Sequence, residues 1–224
     1  MNTILYTKLA FTGAVILGLE LVASRVLTPF FGVSLDVWSS ILAVTLIALA
    51  IGYKFGGYLS NRLSSSHMLI YFICSGSISA IWMNFGSYTY PHVLSELSTW
   101  EFVNGSIISC LYVLFIPLLI FSSLNPVLVD ILGKTDHRNN VSNDHYAGND
   151  FFVSTIGSVV GVFIVSYSLL PNFSNYTSYA ILAVISSLLT LFLALVTRGI
   201  EKNIRTVICI ISILLAAIAT NDNI

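Results

Sequence analysis

Glu20 and Arg25 are ionisable residues inside the first long apolar stretch of the chain, residues 4–29. An ionised side chain near the centre of a bilayer costs at least about 2.5 kcal/mol on insertion scales. Two readings follow for each residue. Glu20 is either a functional acid or a neutral, hydrogen-bonded packing residue. Arg25 is either functional or a side chain that reaches out to the headgroups. At 1.5 Å per residue Glu20 lies about 18 Å along the helix from Lys8. On a helix Glu20 and Arg25 point about 140° apart, so they cannot form a good pair of their own. Ser24 is the i+4 neighbour of Glu20 and a candidate hydrogen-bond partner. Arg25 lies just before Pro29, which is expected to end the helix, and Asp36 at the mouth of the next stretch is its expected counter-ion. Glu20 therefore needs a partner from another helix, a proton, or a cationic ligand.

Other reactive side chains carry weaker patterns. Asp136-His137 and Asp144-His145 offer metal-ligand types, but a polar loop gives them no fixed geometry and a solvated loop is the expectation. Cys74, Cys110 and Cys209 stand singly in separate apolar stretches, without metal or redox spacing, and read as buried thiols. No phosphate-binding glycine loop, nucleophile elbow or zinc-binding helix motif occurs. No catalytic residue, metal or cofactor is therefore assigned, and the chain is not expected to be an enzyme.

The elements that position these residues follow from composition. Of 224 residues, 56 % are hydrophobic and 8 % charged, with a net charge of −1. Soluble domains carry roughly 25 % charged residues, so this composition implies an all-α, polytopic integral membrane protein whose first partner is the lipid bilayer. The near-neutral balance gives no basic surface for nucleic acid. A spanning helix needs about 20 apolar residues, and about seven windows qualify: roughly 4–29, 37–60, 68–87, 105–131, 150–170, 177–197 and 205–220. The first window is too long for a cleavable signal core and contains Glu20. One integral membrane domain over 1–224 is the expected organisation.

Cations set the orientation. Lys54 and Arg62, Lys134 and Arg138, and Arg198, Lys202 and Arg205 flank alternate connections, whereas 30–36, 88–104 and 171–176 contain neither Lys nor Arg. The N-terminus is predicted in the cytoplasm of an inner-membrane protein and the C-terminus outside, with Lys8 as a flanking cation in agreement. Val93, Leu94, Leu97 and Trp100 fall at helical spacing within 88–104 and predict a helix lying along the interface, with Tyr88, Tyr90 and Trp100 in an aromatic belt.

Local punctuation adds detail. Gly52 and Gly56, and again Gly157 and Gly161, form faces that let another helix approach closely. Pro117 and the run Ser122-Ser123-Leu124-Asn125-Pro126 interrupt the fourth span, Pro126 freeing the carbonyl of Ser122. Interrupted helices are where transporters place their sites, although a simple kink satisfies the same pattern. Asn149 and Asp150 read as capping residues of the fifth span, with Asp130 and Asp150 solvated at the inner interface.

In order along the chain, Gly18-Leu19-Glu20 with Arg25, Gly32-Val33-Ser34 with Trp38, the Gly52–Arg62 segment, Asn125-Pro126, and Ser154 to Gly161 with Leu169-Leu170-Pro171 resemble the membrane domain of the fused major-facilitator/spermidine-synthase-like bacterial proteins. The resemblance covers most of residues 10–171. It implies a fold related to a major-facilitator-type half, and it places Trp38, Asn125 and Ser154 among the candidate binding residues beside Glu20, Arg25 and Asp36. Asn61 stands where an acidic residue is usual, and Ser154 where asparagine is common. The glycine-rich nucleotide turn of the synthase domain does not occur in these residues, so synthase activity is not carried over.

Two functions are thus expected. The first is binding or transport of a small cationic, polyamine-like solute, with Glu20 as counter-charge or proton carrier, Arg25–Asp36 as an outer gate and Asn125 in the cavity wall. The second is a non-catalytic membrane subunit that docks or stabilises a partner protein in a larger complex.

Overall fold

The structure, a computed structural model, describes residues 2–135 and 143–196, all in helices and short turns. Five helical stretches among them are long and apolar enough to cross a membrane: Leu5–Phe31, Leu35–Arg62, Ser66–Leu97, Phe102–Ile131 and Tyr146–Asn172. They match the first five predicted spans in order. The sixth begins in a helix starting at Asn175, and the predicted span 205–220 lies outside the described residues.

Helix α1 (Asn2–Phe31) runs through Pro29 instead of stopping there. Proline at that position leaves the carbonyl of Arg25 without its helical donor, and the side chain of Asn175 supplies one at 2.8 Å, so the last turn survives. The stop comes at Gly32, whose φ of 70° is left-handed and costs glycine little. Ser34 then caps α2 (Leu35–Arg62), accepting a hydrogen bond from the Val37 N–H at 3.2 Å.

Helix α3 (Ser65–Leu97) contradicts the predicted interfacial helix. Residues 88–97 are its final turns, in one 33-residue helix about 50 Å long. The apolar spacing read there is real, but it continues the face already buried upstream: Leu94 and Leu97 pack into the core. Tyr90 is likewise buried and pairs with the ring of Tyr176 at 6.3 Å, so it does not belong to an interfacial belt.

The fourth span is a composite of α4 (Phe102–Cys110), a π-helical turn (Leu111–Phe115), α5 (Ile116–Ser122) and α6 (Leu124–Thr135). Its widened turn ends just before Pro117, which donates no hydrogen bond and would crowd the carbonyl four residues back. The exposed carbonyls find outside donors. The Trp82 indole N–H bonds the Tyr112 carbonyl at 3.1 Å, and the Tyr179 hydroxyl bonds the Val113 carbonyl at 2.8 Å. The fifth span repeats the device: α7 (Asn143–Ile164), a π-helical turn (Val165–Leu169), then α8 (Leu170–Asn172) containing Pro171. Helix α9 (Asn175–Val196) presents Asn175 and Tyr179 one turn apart, so a single face of α9 satisfies carbonyls freed by Pro29 and Pro117.

Both glycine faces are used. A Cβ on Gly157 would overlap the backbone of Ala10, and one on Gly161 would overlap Ala14. Gly13 meets Ser154 in the same seam, so α1 and α7 lie backbone to backbone. Gly52 and Gly56 of α2 press against residues 119–123, where the fourth span breaks at Ser123. The missing side chain of Gly52 leaves room for the Ser122 hydroxyl, which donates to the Leu119 carbonyl at 3.1 Å, and Gly56 lies against the Ser123 backbone. Tyr71 and Ser123 join their hydroxyls at 2.6 Å on the other side of the break.

Two charged residues are placed differently from expectation. Lys8 is no flanking cation: it is 1 % exposed, packed against α3 with its ammonium donating to the Phe72 carbonyl and, at 2.9 Å, to the Ser75 hydroxyl. It also lies 5.0 Å from the Phe72 ring centre. Its long stem makes such burial feasible once a carbonyl and a hydroxyl take the charge. Asp150 is no cap, because α7 begins at Asn143 and carries Asp150 into the bundle, 0 % exposed.

Candidate functional site

The six predicted site residues separate into distinct places. Glu20 sits midway along α1, half-buried, beside Thr45 of α2. The buried Thr45 hydroxyl makes no hydrogen bond, so the approach is too loose to count as one. No cationic side chain among the described residues pairs with Glu20. Ser24 does not serve it either, since its hydroxyl donates to the Leu21 carbonyl at 2.8 Å.

Arg25 and Trp38 come together five residues beyond Glu20, at the turn built by Gly32 and Ser34. They line a cavity of about 230 Å³ with Ser24, Thr28 and Val37. The expected Arg25–Asp36 ion pair is absent. Both residues are exposed, and Asp36 occupies the first turn of α2, where the helix dipole already favours a carboxylate. An outer gate made from that pair is therefore not formed in this conformation.

Asn125 lies at the other end of the same bundle. It is 7 % exposed and lines a cavity of about 430 Å³ between α2, α6 and α7, together with Tyr53, Pro126, Val129, Asp130 and Asp150. Asn125 and Pro126 line this cavity and Glu20 does not. Ser154 is one turn beyond Asp150 on α7 and is half-buried, but its carbonyl abuts Gly13 in the seam with α1 and it does not line that cavity.

Asp150 is the residue whose importance sequence reading missed. Both carboxyl oxygens are buried without a hydrogen-bond partner. Buried polar atoms are nearly always bonded, and an exception calls for a cause such as a ligand or a catalytic role. The only signal in the sequence was an aspartate at the edge of an apolar window, and Asn149-Asp150 matches a helix cap equally well. Of the expected metal-ligand types, Asp136 and His137 lie outside the described residues, and no group of three or more His, Cys, Asp or Glu that could hold a metal occurs among the described ones.

The arrangement therefore offers an acid in the middle of α1, a cation-bearing cavity at one end and an acid-backed cavity at the other. No family model, curated protein or solved structure matches the chain.

Proposed function

We propose that this chain is a multi-pass membrane protein, related to a major-facilitator-type half, that binds and moves a small cationic, amine-like solute. The observation that carries this reading is Glu20: a half-buried acid inside a membrane-length helix with no basic side chain beside it among the described residues. Such acids are costly to keep in a span, and those that persist line ion and proton pathways. Glu20 is the counter-charge or proton carrier in this scheme, with Arg25 and Trp38 lining the outer vestibule and Asn125 the inner one. The test is uptake of labelled spermidine into vesicles containing the purified protein. Glu20→Gln keeps the shape and removes the charge, and it is expected to lower the initial rate by about tenfold or more, the scale of one lost charge-assisted contact. Uptake that is undiminished in that variant removes Glu20 from the mechanism.

A second reading, a subunit that holds a partner protein in the membrane, is favoured by the outer face of α7. Only 17 % of the most apolar window of that span is buried, and Phe152, Phe163 and Tyr167 are 64 %, 57 % and 74 % exposed. Lipid covers such a face equally well. Native mass spectrometry in mild detergent separates the two: the subunit reading expects a second polypeptide to travel with the chain from its own membrane, and a lone monomer counts against it.

A further inference from the structure

We infer that the cavity between α2, α6 and α7 is a binding site for an organic ammonium ion with an apolar body, seated against Asp150. The inference goes beyond transport, because it concerns binding at equilibrium and not movement across a membrane. Three observations carry it. Asp150 is 0 % exposed and neither carboxyl oxygen has a hydrogen-bond partner. It borders a cavity of about 430 Å³, within the range of small-molecule sites of roughly 300–1,000 Å³. The walls between which a ligand would lie are mainly apolar: Pro126, Val129, Ala147 and Phe151, with the ring of Tyr53.

This chemistry selects among cations. A bare metal ion needs a cage of several oxygen ligands at short distance, and no cluster of that kind is present among the described residues. An alkylammonium needs one carboxylate for its head and apolar or aromatic surface for its body, which is what the cavity supplies. Asp130 supplies a second carboxyl to the same wall. Asn125, beside the break before Pro126, places an amide in the same wall for a neutral polar group on the ligand.

The test is isothermal titration of the purified protein in detergent with two probes, hexylammonium and 1-hexanol. Hexylammonium is expected to bind at least about tenfold more tightly than the neutral alcohol, the scale of one charge-assisted contact. Asp150→Asn is expected to abolish the preference over hexanol, while Glu96→Gln, a change on the exposed end of α3, leaves it intact. Equal affinity for hexylammonium and hexanol in the unaltered protein overturns the inference without recourse to any variant. Full affinity in a folded Asp150→Asn protein moves the site elsewhere. This cavity is the inner vestibule of the proposed function, but the titration reads Asp150 and the uptake assay reads Glu20, so each reading can fail alone.

Discussion

Gly157→Leu is expected to lower the thermal unfolding midpoint of the detergent-solubilised protein by on the order of 10 °C, the largest effect of any single substitution outside the charged sites. A Cβ at this position already overlaps the backbone of Ala10, and the remaining leucine atoms have nowhere to go but between α1 and α7. Rigid backbone forms the other side of the contact, so no side-chain adjustment relieves it. The helices must separate, and with them the neighbouring contacts of Gly161 on Ala14 and Gly13 on Ser154. Close approach is the main source of attraction between helices in lipid, where burial of apolar surface gives no drive. Gly57→Leu is the matched control, because nothing lies within 4 Å of a Cβ there. Size-exclusion profiles after heating follow both variants. An unchanged midpoint for Gly157→Leu would show that α1 and α7 do not meet through this face.

Tyr179→Phe is expected to cost about 1–3 kcal/mol, more than the mean worth of a hydrogen bond, because it strands a carbonyl. Tyr179 is 1 % exposed and its hydroxyl donates to the Val113 carbonyl, which Pro117 deprives of a helical donor. Water does not reach the site to take over. The physical claim is specific to the proline, which makes a double-mutant cycle decisive. With Pro117→Ala the backbone recovers an N–H and the turn can close on its own carbonyl. Tyr179→Phe in that background is expected to cost less than half as much, read by the same heating assay. Equal costs in both backgrounds would mean that Tyr179 acts by packing alone.

Spans were legible because period and length are local properties. Residues 4–29 and 37–60 form helices close to where apolar windows placed them. The glycine pairs were legible for the same reason, since Gly52 with Gly56 and Gly157 with Gly161 announce a thin helix face without naming its partner. What stayed hidden depends on distant parts of the chain. Pro29 reads as a helix end, and only a donor 150 residues away lets the helix continue. Lys8 reads as a boundary cation, because hydropathy counts its charge but cannot see the Phe72 carbonyl and Ser75 hydroxyl that receive it. Asp150 carried the right residue type for a cap and the wrong depth. At the candidate site, Glu20, Arg25, Trp38 and Asn125 were identified singly, whereas their division between two ends of a bundle is a tertiary fact. The same holds for the Arg25–Asp36 pair: proximity in sequence suggested it, and the cap at Ser34 sets Asp36 apart.

The widened turn at Leu111–Phe115 has a consequence for how this protein tolerates length changes. A π-helical turn holds one residue in excess of the regular coil, which swings all downstream side chains by about 100° about the helix axis. The surface that α2 grips with Gly52 and Gly56 lies downstream of that surplus. Deleting one residue from 111–115 would straighten the coil and still leave Ser122 facing its glycine seat, because the lost residue and the lost swing cancel, whereas a deletion in the regular helix α4 would turn the residues before it by about 100° relative to the rest. The fourth span thus has one place where a residue can be dropped without rotating either half.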